Sequence, residues 1–135
     1  MVDQTLVERK VETSFKLAAR IANAGEPLLA GYWEWQGEKD RWELYLVPKS
    51  MADERRLINV VSNVLTEAPF RSAFSLSDIV IDGHLIDRAR AIGAYIRRPE
   101  DIGRRFDTTF TSGHYFESVI VVYLAPELAP MHHVV

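Results

Sequence analysis

The chain has 135 residues, of which 47% are hydrophobic and 26% are charged, and it contains no cysteine. This composition is typical of one soluble globular domain and lies far from the disordered and membrane classes. The lack of cysteine excludes disulfide bonds and thiolate metal sites, and the net charge of −3 gives no general attraction to nucleic acid. No apolar run is long enough for a signal peptide or a membrane span, so we expect a cytoplasmic protein that does not bind membranes.

The first predicted elements are a helix and a tryptophan-rich hairpin. Apolar residues recur at three- and four-residue intervals over residues 5–24, which predicts an amphipathic helix. Residues 28–48 alternate apolar and polar on both sides of a turn at 37–40, as two antiparallel strands with one buried face do. This register places Trp35 opposite Trp42, so the hairpin predicts an aromatic core.

The middle of the chain predicts two more helices and a strand between them. One helix runs over residues 50–68 and stops at Pro69, and the other spans residues 84–95. Residues 78–82 form a short strand with apolar residues on both faces, which indicates a place in the middle of a sheet.

A second hairpin follows near the end of the chain. It joins strands 106–111 and 115–124 through a two-residue turn at 112–113, where glycine supplies the positive φ that such turns need. Its register places Phe110 opposite Tyr115.

The element order is therefore α-β-β-α-β-α-β-β, which indicates an α+β fold. We expect a sheet of about five strands, mostly antiparallel, with three helices that cover one face or parts of both. Residues 1–124 form the single domain, and residues 125–135 form a tail that is loose or docked on a partner.

The polar face of the first hairpin contains a candidate site. Glu34 lies opposite Glu43 in the predicted register, and like charges across a ladder are destabilising unless something offsets them. A shared proton, a divalent ion, basic neighbours or water would do so, and a hydrolase-type enzyme would use the pair as acid and base. Tyr32 lies opposite Tyr45 on the same face, and these tyrosines form an exposed association surface if helices cover only the tryptophan face.

A second candidate site is the turn that contains Asp82 and His84. A carboxylate and an imidazole can act there as a base and its orienting group, or bind a metal. The alternative, which we favour, is that Asp82 caps the following helix and His84 is solvated. His114 and the pair at 132–133 lack the spacing of metal ligands, and the sequence has no nucleotide-binding or serine-hydrolase motif, so we expect no metal and no cofactor.

The sharpest binding hypothesis concerns residues 88–105, which contain six arginines and two acids and so carry +4 against −7 in the rest of the chain. Two arginine pairs bracket a Pro-Glu-Asp turn: Arg97 with Arg98, and Arg104 with Arg105. Guanidinium groups hold phosphates and carboxylates bidentately, which predicts an anionic partner, either nucleic acid or an acidic protein surface. The alternative is a solvated face, which the total charge and the lack of interleaved aromatic residues favour.

The chain also resembles small uncharacterised bacterial proteins. The residues that carry the resemblance are a first helix ending in Ala-Gly, a strand leading into Trp33-Glu34-Trp35, the stretch RWELYLVPKS, and a late apolar strand at 119–124. The resemblance covers most of residues 11–124. It implies the fold and assigns no activity and no site residue.

These observations favour a non-enzymatic binding or regulatory module that self-associates or docks onto a larger protein. A small hydrolase and a nucleic-acid-associated protein are the alternatives.

Overall fold

The computed structural model describes residues 8–25 and 28–129, except for the side chain of Leu76. Four α-helices and five strands lie in these ranges and form an α+β fold, as the sequence predicts. The helices are α1 (Glu8–Asn23), α2 (Glu54–Val64), α3 (Phe70–Ala73) and α4 (Ile86–Tyr95). The strands are β1 (Leu28–Gln36), β2 (Arg41–Pro48), β3 (Ile79–Ile81), β4 (Arg105–Thr111) and β5 (His114–Leu124).

The five strands form one sheet in the order β3-β2-β1-β5-β4. Only β2 and β3 pair in parallel, and the other neighbours are antiparallel. The register predicted for both hairpins is confirmed, since Trp35 faces Trp42 and Phe110 faces Tyr115. The turn residues at 112–113 both have positive φ, and such turns twist in the same sense as the strands they join.

Helices cover both faces of the sheet and enclose two hydrophobic cores. α1, α2 and α3 pack on the face that contains all three tryptophans, while α4 packs on the opposite face. Trp33 and Tyr32 are the largest fully buried side chains, and they lie in the first and second core respectively. Neighbouring residues of β1 thus point into different cores, as strand alternation requires.

The prediction that residues 78–82 lie in the middle of the sheet is wrong. β3 has three residues and forms an edge of the sheet beside β2. Ile79 and Ile81 pack against the tryptophan core, and all three strand residues are half buried. Because helices cover both faces of this sheet, a strand at its edge has apolar residues on both sides, as a central strand does.

The predicted helix over residues 50–68 is also shorter in the structure. One 3₁₀ turn at Met51–Asp53 leads into α2, which ends at Val64, and Ala68 is exposed. The Thr66 hydroxyl donates to the carbonyl of Asn63 (2.6 Å), a side-chain bond that competes with continuation of a helix.

The beginning of the predicted tail packs against the α4 side of the domain. The N–H of Ala125 donates to the carbonyl of Leu29 (2.8 Å), and Ala125 is fully buried. Leu128 and Ala129 contact the second core. Residues 130–135 lie outside the described residues.

Candidate functional site

Three of the four arginines predicted to bind an anion line one open cavity of about 480 Å³. Arg97 and Arg98 follow the end of α4, and Arg104 immediately precedes β4. The complete lining, which we call the arginine pocket, consists of Ala94, Tyr95, Arg97, Arg98, Asp101, Arg104, Phe106 and Thr111. Residues that are separate in sequence therefore share one concave surface at the C-terminal end of α4.

Backbone contacts fix the loop that carries these arginines. A 3₁₀ turn at Pro99–Asp101 begins with proline, whose fixed φ suits the first position of a helical turn. Gly103 follows with a φ of 93°, a conformation that favours glycine, and its N–H donates to the carbonyl of Val121 (2.7 Å). This bond joins the loop to β5, so the arginines extend from an anchored backbone.

The arginine pocket has an excess of positive charge. The buried carboxylate of Asp101 lies 3.2 Å from Nη1 of Arg104 and 3.5 Å from Nη2 of Arg98. Arg97 forms no ion pair with any residue in the described ranges. Three guanidinium groups and one carboxylate leave a formal charge of +2, which favours a multiply charged anion.

An aromatic wall forms another side of the pocket. The rings of Tyr95 and Phe106 meet edge to face with their centres 5.2 Å apart, and Cζ of Arg104 lies 5.3 Å from the centre of the Phe106 ring. The expected lack of aromatic residues among the arginines is therefore wrong for the folded chain. The signal was present, because Tyr95 precedes Arg97 by two residues and Phe106 follows Arg104 by two.

Arg105 is not part of the pocket, although it was predicted to act with Arg104. Arg105 is the first residue of β4 and extends over the Trp42 ring on the tryptophan side (5.3 Å). Its Nε donates to Oδ1 of Asp107 (2.8 Å). The hydrogen bond from the Ser118 hydroxyl is the largest cause of the lowered pKa of Asp107, and the hydrogen bond from Arg105 is the next largest.

Glu34 and Glu43 face each other across β1 and β2, as predicted, and both are buried. Basic side chains offset their repulsion, which is one of the predicted solutions. Arg88 of α4 donates to both carboxylate oxygens of Glu34. Oε2 of Glu43 accepts from Arg41 (2.8 Å) and Lys39 (3.3 Å).

The two carboxyl groups differ in proton affinity. Burial raises the pKa of Glu34 and outweighs the opposing effect of Arg88. Burial acts in the same sense on Glu43, but hydrogen bonds from Arg41, Tyr45 and Lys39 together leave its pKa below the usual value. Glu34 also lines a second cavity of about 440 Å³. Because the oxygens of both carboxylates already accept hydrogen bonds, these contacts favour a structural role for the pair.

The predicted exposed tyrosine surface does not form. α4 covers this face of the sheet, so Tyr32 is 0% exposed and Tyr45 is half buried. Their rings stack with centres 5.4 Å apart. The Tyr45 hydroxyl donates to Glu43 (3.0 Å), whereas the Tyr32 hydroxyl has no hydrogen-bond partner among the described residues. Tyr32 therefore contributes to the core and cannot contact a partner.

Asp82 and His84 lie together at the start of the 3₁₀ turn before α4. Oδ1 of Asp82 accepts from the backbone N–H of His84 and lies 2.9 Å from its Nδ1. The hydrogen bond from the backbone N–H of His84 is the main reason why the pKa of Asp82 lies below its usual value. The His84 side chain is 78% exposed. This is the geometry of a helix cap, the interpretation that the sequence favours.

Within residues 8–25 and 28–129, no three acidic, histidine or cysteine side chains are arranged to hold a metal ion. His132 and His133 are outside these ranges. In the same part of the chain, no helix has both the length and the hydrophobicity needed to cross a membrane. Comparison with known proteins finds no matching family model, no matching curated protein and no matching solved structure.

Proposed function

We propose that this protein is a binding module that recognises an anionic group in the arginine pocket, whether a small molecule or a partner protein carries that group. The observation that carries the proposal is the convergence of Arg97, Arg98 and Arg104 on one cavity with a formal charge of +2. This excess is local, because the whole chain has a charge of −3. In a chain that is acidic overall, a basic concave site is a defined place for an anion.

The contacts within the pocket favour a binding site and argue against a chance cluster of arginines. Asp101 is 8% exposed and contacts two of the arginines, so it positions their guanidinium groups. Arg97 keeps its hydrogen-bonding capacity for a ligand. Guanidinium groups that are positioned in advance lose less conformational entropy when they bind a phosphate or carboxylate group.

Titration calorimetry at low ionic strength with inorganic phosphate and pyrophosphate tests the proposal. We expect saturable binding that weakens with added salt, and about tenfold weaker binding by the Arg97→Gln variant, since one charge-assisted hydrogen bond is lost. Arg90→Gln is the matched control, because Arg90 is an exposed arginine of α4 outside the pocket lining. If neither anion binds, or if both variants bind equally, the proposed function is wrong.

A second candidate function is self-association through the end of the β4–β5 hairpin. Phe110 is 70% exposed and its cross-strand neighbour Tyr115 is 49% exposed. Exposed aromatic residues are enriched in protein interfaces, so these two side chains provide the contact surface.

Light scattering coupled to size-exclusion chromatography tests this second candidate. A mass that rises from one chain to two with protein concentration supports it, provided that Phe110→Ser removes the rise. Ile58→Ser, at an exposed apolar residue of α2, is the control that should leave the mass unchanged. A single-chain mass at all concentrations contradicts self-association.

A further inference from the structure

The arginine pocket is large enough for a ligand bigger than a simple oxyanion. Its volume of about 480 Å³ lies within the 300–1,000 Å³ that is typical of small-molecule sites. A phosphate ion has five heavy atoms and leaves most of this space to water. The pocket therefore has room for an organic part that extends beyond the group held by the arginines.

The aromatic wall indicates that this organic part is flat. Tyr95 lies in the last turn of α4, is 38% exposed, and contacts the ring of Phe106 edge to face. An exposed aromatic ring is a stacking platform, and nucleic-acid bases stack on such platforms whatever their identity. Arg104 lies over Phe106, so the charged and aromatic parts of the pocket are adjacent.

The charge of the pocket matches a phosphate monoester. Such a group carries a charge of about −1.5 to −2 near neutral pH, and the pocket carries +2. Arg97, which has no ion pair within the described ranges, provides a guanidinium fork that can bind two phosphate oxygens.

The neighbouring strand argues against an extended phosphopeptide. A peptide that docks beside the pocket would pair with the free edge of β4. Thr108, in the middle of β4, has a φ of 50°, which is rare for a β-branched residue and interrupts the regular strand conformation. An irregular edge of this kind disfavours strand addition.

We propose, resting on the anion-binding function above, that the ligand is a nucleotide with a terminal phosphate. Arg97 and Arg104 bind the phosphate, and the base stacks on Tyr95. The same chemistry occurs in a free mononucleotide and at the 5′-phosphorylated end of a single strand. The experiment distinguishes these two sources.

Calorimetry with four probes tests the inference: adenosine 5′-monophosphate, adenosine, inorganic phosphate and a 5′-phosphorylated tetranucleotide. We expect the monophosphate to bind at least about tenfold more tightly than phosphate or adenosine, since stacking and charge pairing act together. Tyr95→Leu keeps an apolar contact with Phe106 but has no flat ring, and should lower the monophosphate affinity to that of phosphate. Arg97→Gln should weaken both ligands. Tighter binding of the tetranucleotide than of the mononucleotide supports the strand end as the source, and the reverse supports the free nucleotide.

The outcomes separate this inference from the function on which it rests. Equal affinities for the monophosphate and phosphate, unchanged in Tyr95→Leu, overturn the nucleotide assignment and leave anion binding intact. Tighter binding of a phosphotyrosine peptide than of the monophosphate also overturns it. If none of the phosphate compounds binds, both proposals are wrong.

Discussion

Glu34 of β1 and Arg88 of α4 are 54 residues apart in sequence, and they form an ion pair. This pair joins the sheet to α4, the helix that covers the face opposite the tryptophans. The guanidinium group of Arg88 also donates to the carbonyl of Tyr115 (2.7 Å), and its Cζ lies 3.9 Å from the centre of the Phe116 ring. One side chain thus connects α4 to β1 and β5.

Loss of Arg88 should strongly destabilise the protein. We expect Arg88→Met to lower the free energy of unfolding by about 3 kcal/mol, the lower end of the range for broken buried pairs, because the Arg88 side chain is 23% exposed. The double variant Glu34→Leu/Arg88→Met should be more stable than Arg88→Met, since no buried carboxylate is left unpaired. Urea denaturation at pH 7 measures both values, and a double variant less stable than Arg88→Met contradicts the prediction.

The raised pKa of Glu34 makes stability depend on pH in a defined direction. The native protein keeps the Glu34 proton to a higher pH than the unfolded chain, in which the group titrates near 4.5. Rising pH between 4.5 and the native pKa therefore favours the unfolded state. The unfolding free energy of the wild type relative to Glu34→Gln should fall across this interval and then level off. Urea denaturation of both proteins from pH 4 to 8 tests this, and a difference that grows with pH contradicts it.

The stacked tyrosines should respond in opposite ways to loss of their hydroxyl groups. Tyr32→Phe removes a buried hydroxyl with no hydrogen-bond partner among the described residues, so stability should stay equal or rise by up to about 1 kcal/mol. Tyr45→Phe removes a hydroxyl that donates to Glu43 and accepts from Gln36, and should lower the free energy of unfolding by about 1–2 kcal/mol. Chemical denaturation of the two variants is the measurement. Equal losses would show that the Tyr32 hydroxyl is bonded in solution.

The indole of Trp33 depends on one residue of α1 for its hydrogen bond. Its Nε1 donates to Oγ of Ser14 (3.0 Å), and both residues are 1% exposed. Ser14→Ala leaves the indole N–H unpaired and should lower the free energy of unfolding by about 1–3 kcal/mol. Ser62→Ala, at an exposed position of α2, controls for the higher helix propensity of alanine and should not destabilise. Thermal unfolding followed by circular dichroism compares the two, and similar midpoints contradict the prediction.

The sequence predicted the local parts of this structure well. Turn residues and strict alternation determine the pairing of a hairpin, so Glu34 opposite Glu43 and Phe110 opposite Tyr115 could be identified before any coordinates. These relationships depend on residues that are close in the chain. The predicted fold class is correct for the same reason.

Relationships between distant segments could not be predicted in this way. Nothing near Glu34 in sequence identifies Arg88 as its partner, and no periodicity shows that α4 covers the face that contains Tyr32. The separation of Arg104 from Arg105 depends on where β4 begins, because only Arg105 lies in the strand. Three of the four predicted arginines therefore line the arginine pocket, but its aromatic wall and the exclusion of Arg105 were not predicted.

The placement of all three tryptophans in one core has a spectroscopic consequence. Indole emission, excited near the red edge of the absorption band, reports on the layer formed by α1, α2 and α3, while the phenol groups of Tyr32, Tyr45 and Tyr95 lie on the side of α4. Indole emission is thus specific to one side of the sheet, whereas Tyr123 packs against both cores. A nucleotide in the arginine pocket would perturb the phenol signal and leave the indole emission almost unchanged, so one unlabelled sample can distinguish a local event from a change in the whole molecule.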